Sequence, residues 1–216
     1  MAPLKHQCWW QICNEADDTR EQTCSQTSLS HHQVFLRWMA EKLAPVLLGV
    51  KTAELLCFRM TAEEQLRHLR TVTMLLDKSD KVGYRAFITA SGRYKVLFYH
   101  LESLQAMVAD GRNQRFLLQQ GYQANSNLEK LLDQLVFKME SGKLPHEIGL
   151  FLGYPLKDVM GFMGHPSLKL TKITGWRVYG NPEPSDQRYR LIQEARIKMR
   201  LQMEVLDPCG VIQAAC

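Results

Sequence analysis

Two β-prone runs separated by a short turn place the strongest constraint on the fold. The runs cover residues 84–90 (Tyr-Arg-Ala-Phe-Ile-Thr-Ala) and 94–100 (Tyr-Lys-Val-Leu-Phe-Tyr-His), and Ser91, Gly92 and Arg93 lie between them. Aromatic and β-branched side chains on both sides of a turn that contains glycine are typical of a β-hairpin. The sequence therefore predicts a hairpin in the middle of the chain.

Helical periodicity is the commoner pattern elsewhere. It is clearest in residues 126–141, where apolar side chains recur at the spacing of one helix face: Leu128, Leu131, Leu132, Leu135, Val136 and Met139. Further helices are predicted from Gln33 to about Gly49, from Thr61, and over 101–110, 112–120, 156–163 and 185–204, with further strands over 53–60 and 173–179. Because strands and helices do not alternate regularly, we expect an α+β fold. Its sheet should be small, mixed or antiparallel, with about four strands and a central hairpin, and helices should cover it.

The same patterns divide the chain into three parts. Residues 1–30 lack a sustained period, so we expect a loose N-terminal leader there, followed by a single α+β domain over 31–204. The last helix is followed by Asp-Pro-Cys-Gly at 207–210. We expect residues 205–216 to form a frayed C-terminal tail.

Positive and negative charges are mixed along the chain. Lys and Arg number 27 against 22 Asp and Glu, which gives a net charge of +5, and no run of five or six like charges occurs. In the predicted last helix, basic residues alternate with acidic ones, so we interpret its cations, Arg188 among them, as a solvated face. A nucleic-acid interface usually concentrates positive charge and interleaves aromatic residues, so this class of partner is disfavoured.

Neither a membrane segment nor a metal site is indicated by the sequence. No stretch approaches the ~20 consecutive apolar residues of a membrane span, and the first residues lack the apolar stretch of a signal peptide, so we expect a cytoplasmic location and no membrane partner. Six cysteines occur without a Cys-x-x-Cys pair. A site built from Cys8, Cys13, Cys24 and His31 has the wrong spacing for zinc, so we predict no metal. The sequence identifies no cofactor.

The segment of residues 144–155 differs from the rest of the chain because glycine and proline recur at short intervals in it. From Pro145 it reads Pro-His-Glu-Ile-Gly-Leu-Phe-Leu-Gly-Tyr-Pro, and a second block, Gly-Trp-Arg-Val-Tyr, covers 175–179. The two blocks resemble the signature of the bacterial family known as domain of unknown function 3793, and the resemblance extends over about residues 36–199. The chain departs from the family at Gly164-His165-Pro166 and at Thr174, where many members carry Cys. The resemblance implies a bacterial source and no established activity.

The 144–155 segment supplies most of the candidate site residues. Gly149 and Gly153 permit close approach of a ligand or of another backbone, and Tyr154 is a candidate ligand contact. His146 offers a proton carrier and Glu147 a carboxylate, which are the groups of general acid–base catalysis. Adjacent residues point apart on strands and helices, however, so their proximity in sequence does not by itself make a catalytic pair.

Two cations outside this segment complete the candidate site. Lys51 and Arg93 each lie beside a predicted turn. Single charges in such places are usually solvated, but the two together can hold an anionic group. The partner expected for them is a small anionic ligand.

Three functions are compatible with these residues. The leading hypothesis is a module that binds a small ligand or cofactor, or a partner protein, through a cleft bordered by the 144–155 segment. The first alternative is an enzyme that uses His146 as general acid or base, oriented by Glu147 or another carboxylate. The second is a structural or adaptor protein in which the segment is a packed turn. An enzyme requires His146 exposed in a polar concavity, whereas an adaptor requires an exposed apolar patch.

Overall fold

A computed structural model describes residues 30–58, 63–123 and 127–215, and these ranges contain nine helices and two antiparallel sheets. The strands are β1 (Ala53–Phe58), β2 (Val82–Ile88), β3 (Tyr94–His100), β4 (Leu170–Thr174) and β5 (Trp176–Tyr179). The helices are α1 (His31–Leu47), α2 (Glu63–Leu76), α3 (Leu101–Ala109), α4 (Gly111–Gln119), α5 (Leu128–Glu140), α6 (Ile148–Phe151), α7 (Leu156–Phe162), α8 (Glu183–Gln202) and α9 (Pro208–Ala215). The expected α+β class is confirmed. The predicted leader apart from Ser30, and Thr61 at the predicted start of a helix, lie outside the described residues.

The predicted hairpin forms the middle of the larger sheet. Its strands β2 and β3 pair antiparallel, and β1 pairs with the other edge of β3, which gives the order β1-β3-β2. Successive side chains of a strand point to opposite faces. Val96 and Phe98 accordingly enter one apolar core, and Leu97 and Tyr99 enter another on the opposite face. The central strand is therefore buried on both sides.

The first core lies between this sheet and helices α1, α2, α8 and α9. Helix α9 differs from the frayed tail predicted for residues 205–216, because Val211 and Ile212 are fully buried in this core. Pro208 is buried as well, one turn earlier on the same helix. The Asp-Pro-Cys-Gly sequence begins a helix here, since proline is well tolerated in the first turn.

The second core lies on the other face of the sheet and is built by α3 to α7. The predicted helix over 126–141 is present as α5, and Leu131, Leu132, Leu135 and Met139 are its buried side chains. Phe137 points away from them and is 75% exposed. The apolar period of the sequence therefore identified the interior face of this helix correctly.

The smaller sheet replaces the single strand predicted over 173–179. Two strands, β4 and β5, pair antiparallel around Gly175, which has a φ of +65°. A left-handed backbone at the turn is readily adopted only by glycine, so the run is divided at this residue. The described residues contain five strands as a result, against the four expected. Trp176 and Val178 of β5 pack on Ile192 of α8.

Candidate functional site

A cleft of about 790 Å³ lies where the 144–155 segment meets α3, α7 and α8. Leu150, Gly153 and Tyr154 of the segment line it, as do Met107 of α3 and Arg188 of α8. A concavity of this volume is within the range of small-molecule sites. The predicted segment thus borders a cleft of suitable size for a small ligand.

Gly153 fixes the segment against the loop that precedes β1. Its φ is +79°, and a Cβ atom built on it would lie 3.0 Å from the Thr52 hydroxyl oxygen and 3.2 Å from the Thr52 backbone nitrogen. The Thr52 hydroxyl in turn donates a hydrogen bond to the carbonyl oxygen of Phe151. Gly153 is therefore required both by its backbone conformation and by this close approach.

Gly149 has a different role from Gly153. It is buried in α6, and a Cβ atom on it would lie 3.0 Å from a methyl carbon of Val159 in α7. Gly149 is absent from the cleft lining. Its small size allows α6 and α7 to pack closely, which is the packed-turn role considered for this segment.

Tyr154 forms one wall of the cleft, and its ring is contacted by Trp176 and Lys51. Its ring lies 4.8 Å from the ring of Trp176, centroid to centroid. The Lys51 ammonium lies 5.5 Å from the Tyr154 ring centroid and 2.7 Å from a carboxylate oxygen of Glu54. Lys51 is only 4% exposed and does not line the cleft. It supports Tyr154 from the protein side.

Arg93 lies far from Lys51, so the two predicted cations do not form one site. In the register of β1 with β3, Ala53 pairs with Tyr99 and Phe58 pairs with Tyr94. Lys51 and Arg93 therefore lie beyond opposite ends of β1, which at ~3.3 Å per residue separates them by roughly 20 Å. Arg93 is exposed at the hairpin turn, away from the cleft.

His146 and Glu147 occupy different environments, as expected for neighbours that point apart. His146 is exposed, with its ring 5.2 Å from that of Phe162, and it does not line the cleft. Glu147 is 5% exposed and accepts a hydrogen bond from the Lys138 ammonium at 2.7 Å. It also accepts one from the Tyr122 hydroxyl at 3.3 Å. Burial and the adjacent Glu147 carboxylate raise the pKa of Tyr122. Glu147 thus belongs to an internal ion pair and does not orient His146.

Asp158, three residues after the segment, connects α7 to the second sequence block, residues 175–179. It is fully buried and accepts hydrogen bonds from the Trp176 indole nitrogen at 2.8 Å, the Tyr179 backbone nitrogen at 2.8 Å and the Ser185 hydroxyl at 2.6 Å. The Lys157 ammonium donates to Asp158 at 2.6 Å, to the Tyr179 carbonyl at 2.9 Å and to Ser185 at 2.7 Å. All three ammonium protons of Lys157 are therefore engaged within the protein, although its side chain lines the cleft.

Arg188 is the site residue that the sequence analysis did not identify. Although its helix alternates basic and acidic residues, Arg188 lines the cleft and is only partly exposed. Its Nη1 donates a hydrogen bond to the Val50 carbonyl oxygen at 2.8 Å, and no carboxylate of the described residues lies within ion-pair distance of its guanidinium. Burial lowers the pKa of Arg188. The contact with Val50 distinguishes Arg188 from the other cations of α8. The local sequence pattern of the helix gives no sign of that contact.

The α3–α4 junction forms a polar rim of the cleft with balanced charge. The Asp110 carboxylate accepts from the backbone nitrogens of Arg112 and Asn113 at the start of α4, and these bonds lower its pKa. The Arg112 guanidinium lies 3.7 Å from the same carboxylate. The charges of Asp110 and Arg112 therefore offset each other.

An exposed apolar patch lies elsewhere, at the C-terminal end of α8. It contains Ile197 at 53% exposure, Leu201 at 57% and Val205 at 86%. The adaptor hypothesis requires a patch of this kind, but no residue of the 144–155 segment contributes to it.

Two classes of feature are not found within residues 30–58, 63–123 and 127–215. No group of three or more His, Cys, Asp and Glu side chains is arranged to hold a metal ion there. No helix in these ranges has the length and apolar character needed to cross a membrane. Cys8, Cys13 and Cys24, which the sequence analysis considered for a zinc site, lie outside the described residues.

Comparison with known proteins identifies one family. The model of the family described as "Protein of unknown function (DUF3793)" matches residues 39–208, which include the 144–155 segment, β5 and Arg188. Searches of the curated proteins and of the solved structures gave no match.

Proposed function

We propose that this chain, which belongs to the DUF3793 family, is a binding module that holds a small anionic ligand in the cleft beside the 144–155 segment. The observation that carries the proposal is Arg188, a partly buried cation in the cleft wall that forms no ion pair with a described carboxylate. Charged side chains withdrawn from water are usually paired. An anion bound in the cleft supplies the missing partner.

The geometry of the guanidinium supports binding through two hydrogen bonds. Arginine presents five N–H donors in a planar fork. Nη1 is oriented by the Val50 carbonyl, whereas Nε and Nη2 form no hydrogen bond with the described residues. That free edge matches two oxygens of a carboxylate or phosphate. Since the Val50 contact fixes the side chain beforehand, binding costs little rotamer freedom.

The predicted site residues divide into two groups under this proposal. Gly153 and Tyr154 border the ligand directly, and Lys51 holds Tyr154 from behind. His146, Glu147, Gly149 and Arg93 are assigned no ligand contact, because none of them lines the cleft. The proposal assigns no reaction to the chain and names no cofactor.

The proposal is tested by replacing Arg188 and its neighbour Arg190 with methionine, one at a time. Methionine keeps much of the length and apolar contact of arginine but removes the charge. Arg190 lies on the same helix and is exposed, so Arg190→Met is the matched control. Native mass spectrometry of freshly purified protein detects any ligand that co-purifies. Thermal unfolding with added acetate or inorganic phosphate, against chloride at equal ionic strength, detects binding of either anion through a raised Tm.

We expect the parent chain and Arg190→Met to bind an anion and Arg188→Met to lose that binding, while all three remain folded. If the Arg188→Met protein retains every ligand and the full rise in Tm, the proposed site is wrong. The same conclusion follows if neither anion raises the Tm of the parent chain and no ligand co-purifies.

A further inference from the structure

The cleft that contains Arg188 is also lined by apolar side chains from the second core. Met107 of α3, Leu156 and Met160 of α7, and Tyr154 all line it, and all four are only partly buried while they pack against that core. Side chains in such positions leave apolar surface in contact with the cleft. Methionine is flexible and polarisable, so two methionines form a wall that adapts to the shape of a ligand.

Most of the other polar groups in the cleft already have partners in the protein. The Ser103 hydroxyl donates to the Gly49 carbonyl oxygen at 2.7 Å. The Asn113 side-chain amide donates to the Met107 carbonyl oxygen at 2.9 Å, and Lys157 has all three of its protons engaged. These groups have less capacity to recognise a second polar group on the ligand. The Nε and Nη2 edge of Arg188, by contrast, forms no hydrogen bond with the described residues.

The size of the cleft sets the size of the ligand. One water molecule occupies ~30 Å³ of liquid, and an inorganic anion occupies only a few times that volume. A cleft of about 790 Å³ that bound such an ion would leave most of its apolar wall exposed to water. Covering this wall with the carbon chain of the ligand is favourable because it removes apolar surface from water.

On the basis of the anion site proposed above, we infer that the ligand is an amphipathic organic acid. Its carboxylate binds the Nε and Nη2 edge of Arg188, and its apolar body lies against Met107 and Met160. The structure thus combines one cation that has no partner among the described carboxylates with an apolar wall, and this arrangement suits a carboxylic acid with several carbons. Highly charged metabolites such as nucleoside triphosphates fit less well, because Arg112 and Lys157, which also line the cleft, are already paired with Asp110 and Asp158.

The inference is tested first by measuring affinity against chain length. Acetate, hexanoate and octanoate are titrated into the intact chain, and their dissociation constants are compared. Complete burial of a methylene group corresponds to about a fourfold gain in affinity, so half-burial against the apolar wall should give about twofold for each added methylene. Octanoate has six methylenes more than acetate and should bind roughly 60-fold more tightly. Arg188→Met should remove this binding, and Arg190→Met should not.

The position of the apolar body is tested in the same titration by NMR of the methionine methyl groups. The chain has ten methionines, and the signals of Met107 and Met160 are assigned through Met107→Leu and Met160→Leu. We expect these two methyl signals to shift with octanoate and not with acetate. Met74 is 67% exposed on α2 and serves as the internal control, because its signal should not move.

The outcomes separate this inference from the function on which it rests. If acetate or inorganic phosphate binds in an Arg188-dependent way, but affinity does not rise with chain length and neither methyl signal shifts, the ligand is not amphipathic and the anion site stands. If octanoate binds equally well to Arg188→Met, its carboxylate does not bind Arg188 and this inference is wrong. The anion site is wrong as well if acetate and inorganic phosphate also bind independently of Arg188. If no probe binds the parent chain, the inference is overturned. A chain-length effect lost in Arg188→Met, with shifts at both methionines, supports it.

Discussion

The close contact between Gly153 and Thr52 can be tested by adding a single methyl group. In Gly153→Ala the new Cβ atom lies 3.0 Å from the Thr52 hydroxyl oxygen and 3.2 Å from its backbone nitrogen. The side-chain oxygen moves readily, but the backbone nitrogen is held because Thr52 lies one residue before β1 and its carbonyl accepts from the His100 backbone nitrogen at 2.9 Å. The 144–155 segment or the Thr52 loop therefore has to shift.

The magnitude follows from two costs and one compensating gain. A non-glycine residue in the left-handed conformation costs about 1–2 kcal/mol. Alanine also stiffens the unfolded chain, which returns about 0.4–1 kcal/mol. Crowding of a packed site costs about 1–3 kcal/mol more. Gly153→Ala should thus destabilise the fold by about 3 kcal/mol, the middle of a range of about 1–5 kcal/mol.

Gly92 is the matched control, because it carries the conformational cost alone. Its φ is +73°, and no atom lies within 4 Å of a Cβ built on it. Gly92→Ala should therefore cost only about 0–1.6 kcal/mol. Urea unfolding of the two variants and the parent chain gives the comparison through the midpoints, provided that the slopes agree. Equal losses in the two variants would refute the argument that the Thr52 contact requires glycine at position 153.

Two further predictions concern the second core and a buried histidine. Leu132→Ala should lower the free energy of unfolding by about 2–5 kcal/mol, since Leu132 is fully buried in α5. Phe137→Ala, on the exposed face of the same helix, should cost far less. Equal urea midpoints for the two variants would contradict this assignment. His100 caps α3 by accepting from the Ser103 backbone nitrogen, and burial lowers its pKa below 6.5. The unfolded chain then binds a proton more readily, so the contribution of His100 is present above pH 6.5 and is lost as the pH falls below it. His100→Asn keeps a cap acceptor and should weaken this pH dependence in urea unfolding at several pH values, and an unchanged pH dependence would contradict it.

Local sequence patterns predicted the elements whose contacts are themselves local. The hairpin of β2 and β3 and the inner face of α5 follow from alternation and helical period, because each element buries the same side chains that form its pattern. The turn at Gly175 and the helix α9 were missed. In each case the residue type allows two structures. A glycine can continue a strand or reverse it, and a proline can end a helix or begin one.

The candidate site was predicted only in part for the same physical reason. The 144–155 segment was identified by its glycines and prolines, because these residues favour an irregular backbone whatever tertiary contacts surround them. Its contact surface is set by Thr52, which lies 99 positions before Phe151. Arg188 meets Val50 across 138 positions. A periodic charge pattern gives the average exposure of a helix, and it does not reveal which one of its cations enters a cleft.

Three ion pairs in the fold contrast with Arg188, for which we propose a role in binding rather than in stability. Asp158 is paired with Lys157, Glu147 with Lys138, and Lys51 with Glu54. Arg188 forms no such pair with the described residues, so its partial burial opposes folding, and its hydrogen bond to Val50 offsets only part of that cost. Methionine at 188 removes both contributions, and we expect Arg188→Met to unfold at the same urea concentration as the parent chain or a higher one, while it loses anion binding. A residue that served the fold would show the opposite, a marked loss of stability with ligand binding retained. Because function often costs stability at binding sites, the two measurements on this one variant decide which role Arg188 has.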